Sequence, residues 1–87
     1  MSETMKLLNK ALEIKTSAAW TRDLGLSYGA ITASKTRGHL SPAIAGAMAE
    51  FMGLDAIKWI AVAALESERD STCAARMKRK FGNITSL

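Results

Sequence analysis

Residues 17 to 38 carry the side chains of this chain best suited to bind a ligand through hydrogen bonds. This segment reads SAAWTRDLGLSYGAITASKTRG. On a helix, Tyr28, Thr32, Lys35 and Thr36 share one face, which holds no large aliphatic side chain. Small and hydrogen-bonding residues let a helix approach base edges in a DNA groove, so the pattern favours recognition of DNA.

The sequence shows no arrangement of residues that would support nucleophilic or metal chemistry. His39 is the only histidine and Cys73 the only cysteine, which excludes an internal disulfide and a cysteine-based metal cluster. No Ser-His-Asp or Cys-His arrangement and no phosphate-cradling glycine loop is visible. We interpret Glu66, Glu68 and Asp70 as a solvated helix face, because they are close in sequence and do not converge. We therefore expect no enzyme, no metal site and no cofactor.

Two short amphipathic helices joined by a tight turn must position the polar face. Trp20 and Leu24 lie four apart on the first helix, and Ile31 faces them from the second. Gly25 stands where the chain must turn, because glycine enters left-handed backbone conformations without steric cost. Ser27 offers a hydroxyl that can cap the second helix. The segment predicts a helix-turn-helix.

The whole sequence predicts an all-α fold of five helices, with a further helical turn or two over residues 72 to 81. We expect helices over about residues 3–14, 17–24, 28–36 and 42–52, and a fifth that begins at Asp55. Their caps are predicted at Ser2, at Thr16 or Ser17, at Ser27, at Ser41 and at Asp55. The predicted apolar stripes are Met5, Leu8 and Leu12 in the first helix, Ile44, Met48, Phe51 and Met52 in the fourth, and Ile57, Ile60, Ala61, Ala64 and Leu65 in the fifth.

Length and composition limit the chain to one small domain. From the eighty-seven residues we expect no separate ligand-sensing or self-cleaving domain. We expect a DNA-binding domain over residues 1–70 and a basic extension over residues 71–87. No apolar run approaches about 18 to 20 residues, and the N-terminus lacks a signal peptide's apolar stretch, so a cytoplasmic protein associated with a bacterial nucleoid is expected.

Positive charge collects around the predicted helix-turn-helix and at the C-terminus. The formal net charge of +4 arises within residues 76 to 80, RMKRK, because the cations and acids of residues 1 to 75 balance. Residues 14 to 40 carry four cations against Asp23 alone. This asymmetry is typical of a protein with one side turned toward phosphate. For the RMKRK segment three interpretations stay open: an electrostatic arm, the end of a dimerisation helix, or a solubilising terminus.

The order small-Ala-Ala-Trp-x-x-x-Leu-Gly-Leu-Ser-x-x-x-Ile-x-x-x-Lys-x-Arg-Gly resembles the helix-turn-helix of lambda-repressor-like and Cro-like phage regulators. The continuation HLSP and AIAGAMAEFMGLDAIKWIAVAALESE is similar to small phage and prophage proteins of that superfamily, including those of filamentous prophages. The similarity covers roughly residues 5 to 69. Thr21 stands where the family usually has alanine, and threonine is small enough to be accommodated there.

The resemblance implies three groups of DNA contacts. Base or sugar contacts are expected from Ser27, Tyr28, Gly29, Thr32 and Ala33. Backbone contacts are expected from Lys35, Thr36 and Arg37. A neighbouring phosphate is expected at the start of the first motif helix, at Thr16, Ser17 and the free amides there.

The function implied is that of a sequence-specific transcriptional regulator, a phage or prophage repressor that binds a palindromic operator as a homodimer through its third helix. An antirepressor protein is the expected kind of antagonist. Two alternatives stay open. One is an excisionase-type or architectural protein that bends DNA, and the other is an adaptor that binds another protein through the same fold.

Overall fold

The computed structural model describes residues 2 to 81, which form six α-helices and no strand. The helices are α1 (Glu3–Ile14), α2 (Ser17–Asp23), α3 (Ala30–Arg37), α4 (Pro42–Phe51), α5 (Ala56–Glu66) and α6 (Thr72–Phe81). The all-α prediction is confirmed, and the suggested sixth helix forms over the predicted residues. None of the helices in the described part of the chain has the length and apolarity needed to cross a bilayer.

Four helices begin at residues whose side chains cap them as the sequence predicts. The oxygens of Ser2, Thr16, Ser41 and Asp55 each accept a hydrogen bond from the amide three residues further on. Each satisfies an N–H group that has no partner within its helix. At the start of α2 the choice between two candidates is settled in favour of Thr16.

The core gathers around two tryptophans. Trp20 of α2 and Trp59 of α5 are fully buried, together with Leu7, Leu8 and Ala11 of α1 and Ala45, Met48 and Ala49 of α4. The Trp20 indole N–H donates to the Ala11 carbonyl over 2.8 Å, so this large side chain is both packed and hydrogen-bonded. Trp20 and Ile31 are buried in the same core cluster, and Leu24 packs against that cluster. The predicted inward direction of these three side chains is confirmed.

The prediction for the buried face of α5 is wrong. The helix buries Trp59, Val62 and Ala63, whereas Ile57 is 79% exposed and Ile60 43% exposed. Ala61 and Ala64 are also exposed, and Leu65 is half-buried. Apolar residues surround this helix almost completely, so its periodicity does not distinguish one face from another. The face that carries the larger tryptophan side chain packs inward.

Smaller shifts occur in two other apolar stripes. In α1 the buried residues are Thr4, Leu7, Leu8 and Ala11, whereas Met5 and Leu12 lie at the margin of the core. In α4, Phe51 is 56% exposed and the buried residues are Ala45, Gly46, Met48 and Ala49. In both helices the predicted stripe is rotated relative to the buried face.

A hydrogen-bonded junction holds the segment that follows α3. The Glu66 carboxylate, at the end of α5, accepts from the Glu3 amide over 2.7 Å and from the amide and hydroxyl of Thr4. The Thr4 hydroxyl oxygen in turn accepts from the Leu40 amide over 3.0 Å. Our interpretation of Glu66 as part of a solvated face is wrong, because this carboxylate caps the N-terminus of α1.

Candidate nucleic-acid interface

The turn between α2 and α3 is built on two glycines with positive φ angles. Gly25 has a φ of 66° and Gly29 a φ of 82°, a region that other residues enter only with strain. The Leu26 amide donates to the Thr21 carbonyl over 2.9 Å, which closes the end of α2. The turn predicted at Gly25 is confirmed.

The predicted start of α3 is wrong. The helix begins at Ala30, with Gly29 at the N-cap position and no side-chain cap, so the Ser27 hydroxyl does not cap it. Instead, the Ser27 carbonyl accepts from the Ala30 amide over 3.1 Å and forms part of the turn. Tyr28 and Gly29 therefore precede the helix rather than lie on its first turn. The left-handed conformation of Gly29 decides this difference.

The face of α3 predicted to be polar is exposed to solvent. Thr32, Ala33, Lys35, Thr36 and Arg37 are all exposed, while Ile31 and Ser34 are buried as predicted. The ring of Tyr28 projects fully into solvent and makes no contact that would bury it. A tyrosine this exposed is available for a partner outside the chain.

An open groove of about 1090 Å³ runs between α2 and α3. Six of the predicted site residues line it: Ser17, Tyr28, Gly29, Thr32, Ala33 and Thr36. The other four, Thr16, Ser27, Lys35 and Arg37, are not among its lining residues. The structure thus brings residues from both helices to one concave surface, which we call the α2–α3 groove.

Sequence analysis missed Ala18, Thr21 and Arg22 as members of this surface. Arg22 is 74% exposed and lies one turn of helix beyond Ala18. The helical spacing of residues 18, 21 and 22 along the outer face of α2 is the signal that would have identified them.

The four cations near the groove differ in their surroundings. The Lys15 ammonium lies 2.6 Å from an Asp23 carboxylate oxygen, 3.6 Å from the centre of the Phe51 ring and 4.4 Å from that of Trp20. Arg22 contacts the same carboxylate over 3.3 Å. The hydrogen bond from Lys15, with the charges of Lys15 and Arg22, holds the pKa of the Asp23 carboxyl below its ordinary value.

Lys35 and Arg37 have no such partner. Within residues 2 to 81, neither forms an ion pair with a carboxylate, and Arg37 makes only a long 3.4 Å hydrogen bond to the Ser34 hydroxyl. Asp23 offsets one of the two positive charges at residues 15 and 22, whereas the two cations in the C-terminal half of α3 have no acidic partner within residues 2 to 81.

The hydroxyl groups of the site differ in whether they form a hydrogen bond within the described part of the chain. Thr36 donates to the Thr32 carbonyl over 3.2 Å, and Thr16 accepts from the Ala19 amide as a cap. In the described part of the chain, the hydroxyls of Tyr28 and Thr32 make no hydrogen bond. These two groups, like the hydroxyls of Ser17 and Ser27, can therefore donate to and accept from a bound molecule.

In comparisons with known proteins, the chain matches no protein-family model, no curated protein and no solved structure.

Proposed function

We propose that this chain is a sequence-specific DNA-binding protein of the lambda-repressor-like helix-turn-helix class, in which α3 enters the major groove. It acts without catalysis, as a phage or prophage repressor on DNA in a bacterial host. Residues 1–70 form the DNA-binding domain in this proposal. A homodimer occupies a palindromic operator and excludes polymerase from the promoter, and an antirepressor protein would relieve the repression.

The observation that carries the proposal is the solvent-exposed surface of α3 and the turn before it. Free hydroxyls at Tyr28 and Thr32 lie on the groove, and Lys35 and Arg37 follow on α3 without acidic partners among residues 2 to 81. Hydroxyls can read base edges, whereas unpaired cations attract phosphate whatever the sequence. A surface that offers both kinds of group suits a DNA duplex better than an apolar protein partner.

Each part of the surface has a distinct role in this proposal. Tyr28 and Thr32 contact bases, with Gly29 and Ala33 allowing close approach because their side chains are small. Lys35, Thr36 and Arg37 lie beside the sugar-phosphate backbone and fix the position of the helix. Ser17 and the free amides at the start of α2 hold a phosphate on the opposite wall of the groove.

The experiment that tests the proposal is selection of bound fragments from sheared genomic DNA of the source organism at physiological salt. Enrichment of a short inverted repeat near a promoter is the expected result. Tandem direct sites with strong bending would favour the excisionase-type alternative. Retention of all fragments alike, abolished by moderate salt, would contradict sequence-specific binding.

The role of the α3 cations is tested by the double substitution of Lys35→Ala with Arg37→Ala. Because each phosphate contact releases counterions, we expect weaker binding to every duplex and a salt slope that is less steep by about two. The matched control is Lys10→Ala, an exposed lysine of α1 that does not line the groove. An unchanged affinity and salt slope in the double variant, with function retained, would favour the protein-interaction adaptor.

A further inference from the structure

The α3 side of the α2–α3 groove presents methyl and hydroxyl groups. Thr32 and Ala33 are exposed on α3, and both line the groove. The Ala33 side chain is a single methyl group, and Thr32 carries one methyl group beside its hydroxyl. Tyr28 adds an exposed phenol ring from the turn before the helix. These groups are the ones that a base edge would meet if α3 entered a major groove.

Side-chain amides, which bond to adenine through two hydrogen bonds, do not line this groove. The sequence contains no glutamine, and its asparagines are Asn9 and Asn83. Asn9 lies in α1, away from the lining residues, and Asn83 lies outside the described residues. The N6 and N7 groups of adenine therefore have no bidentate partner on the described groove.

The groove-lining part of α3 also lacks a cation that could bind guanine. Guanine O6 and N7 are most often bound by arginine or lysine. Lys35 and Arg37 of α3 do not line the groove. Arg22 lines it from α2, and the Nε of Arg22 donates to the Asp23 carboxylate over 3.3 Å. The lining residues of α3 therefore provide no bidentate contact to guanine.

Methyl groups distinguish among the bases better than hydroxyls do. A hydroxyl both donates and accepts, so Tyr28 and Thr32 can form hydrogen bonds with the edge of any base pair. Among the four standard bases only thymine carries a methyl group in the major groove, and alanine and the threonine methyl group suit an apolar contact with it. The groups that can select a base here are therefore the methyl groups of Thr32 and Ala33.

We propose that the α2–α3 groove recognises the C5 methyl groups of thymine, and that its half-site is rich in A·T pairs. The methyl groups of Thr32 and Ala33 pack against thymine methyl groups, while the hydroxyls of Thr32 and Tyr28 form hydrogen bonds with adjoining base edges. These contacts require α3 to enter a major groove, so the proposal rests on the proposed function. It adds the base that the helix selects and the chemical group that it recognises.

The test is selection from a library of random duplexes, followed by fluorescence titration of the selected duplex in two forms. One form contains thymine, and in the other uracil replaces each thymine of the selected site, which removes only the methyl group. We expect an A·T-rich site, and an affinity for the uracil form that is lower by about fourfold for each methyl group that the protein covers. A duplex with uracil only in the flanking sequence is the matched control and should bind like the thymine form.

Two substitutions at Thr32 separate the methyl group from the hydroxyl. Thr32→Ser keeps the hydroxyl and removes the methyl group, so it should reduce the preference for thymine over uracil by about fourfold. Thr32→Val removes the hydroxyl and keeps a methyl group, so it should bind both forms more weakly and retain the wild-type preference. Circular dichroism melting checks that both variants fold, which we expect because Thr32 is exposed.

Failure of this proposal is distinguishable from failure of the proposed DNA binding. A selected site without A·T pairs, or equal affinity for the thymine and uracil forms, would overturn recognition of methyl groups and leave sequence-specific binding intact. A thymine preference that survives Thr32→Ser and is lost in Thr32→Val would overturn the role of the Thr32 methyl group. A chain that selects no sequence from the library would overturn both this proposal and the proposed function.

Discussion

The cations near the α2–α3 groove show that a charge present in the sequence is not always available to a ligand. Lys15 is held by the Asp23 carboxylate and by two aromatic rings, so it stabilises the junction of α1, α2 and α4. Lys35 has no acidic partner among the described residues. In a count of charges along the sequence, each of these two lysines contributes one positive charge. Only the arrangement of their neighbours separates a structural cation from one that can meet phosphate.

The Asp23 ion pair predicts a specific dependence of stability on pH. Because folding lowers the pKa of this carboxyl, it contributes stability above its unfolded pKa, and that contribution is lost as pH falls through the folded pKa. We expect Asp23→Asn to be less stable than the wild type at pH 7, with the difference shrinking below about pH 4. Urea unfolding at pH 7 and pH 3 measures this.

The control for that experiment is Asp70→Asn, at an exposed aspartate that forms no ion pair within residues 2 to 81. It should leave the unfolding midpoint unchanged at pH 7. A stability difference between the Asp23→Asn variant and the wild type that stays constant from pH 7 to pH 3 would contradict the ion-pair explanation.

Base reading in the proposed complex rests on Tyr28 and Thr32. We expect Thr32→Ala or Tyr28→Ala to lose about 1 to 3 kcal/mol of affinity at the selected site while leaving binding to unrelated duplexes unchanged. Both side chains are exposed and their hydroxyls are unpaired in the described structure, so folding should be unaffected. Titration of labelled specific and random duplexes measures the ratio. If both variants keep the wild-type ratio, the reading surface lies elsewhere.

At the scale of elements, the ends of α1, α3 and α5 are joined by one carboxylate and two hydroxyls. The Glu66 carboxylate accepts from the Glu3 amide and from the Thr4 hydroxyl, and the Thr4 hydroxyl oxygen accepts from the Leu40 amide. The Ser2 hydroxyl donates to the Gly38 carbonyl over 2.7 Å. Thr4 and Leu40 are fully buried. The C-terminal end of α3 is therefore held by residues that lie far from the groove.

Breaking this junction should lower the free energy of unfolding. Thr4→Val leaves the buried Leu40 amide without its acceptor, and Glu66→Gln removes the charge from the cap of α1. We expect losses of about 1 to 3 kcal/mol for Thr4→Val and about 1 to 2 kcal/mol for Glu66→Gln. Chemical denaturation measures both. Glu68→Gln, at an exposed position two residues later, should change stability by less than about 0.5 kcal/mol.

Over the whole molecule, the net charge of +4 comes from α6. The helix buries Ala74 and half-buries Met77, while Arg76, Arg79 and Lys80 are exposed. The structure therefore gives the basic segment the form of a helix that packs on α5 and directs most of its cations outward. Such charge would attract any duplex without distinguishing one sequence from another.

Replacing the four cations of α6 with glutamine tests that role. The substitutions are Arg76→Gln, Lys78→Gln, Arg79→Gln and Lys80→Gln, which lower the formal net charge from +4 to zero. We expect affinity to fall by the same factor for specific and random duplexes, so their ratio stays constant, and the loss to vanish at high salt. Fluorescence anisotropy over a salt series measures this. Unchanged binding at low salt would favour the solubilising interpretation.

The sequence by itself determined the features that depend on neighbouring residues. Helix caps such as Ser2 and Asp55, the turn at Gly25 and the inward direction of Ile31 were all predictable, because capping and helical periodicity act over three or four positions. The exposed face of α3 was predictable for the same reason, because helical periodicity places its polar residues on the side opposite Ile31. The start of α3 was missed because the conformation of Gly29 is set by the whole turn.

Only the tertiary structure decided which of several equivalent surfaces is used. In α5 both faces are apolar, and only packing against the rest of the fold shows that Trp59 rather than Ile57 is buried. Glu66 meets Thr4 across 62 positions of sequence, and no local pattern encodes that distance. The pairing of Lys15 with Asp23 likewise arises where two helices meet. Local sequence patterns do not distinguish between the possible buried faces or ion-pair partners. The packing of distant segments against each other determines which of them occur.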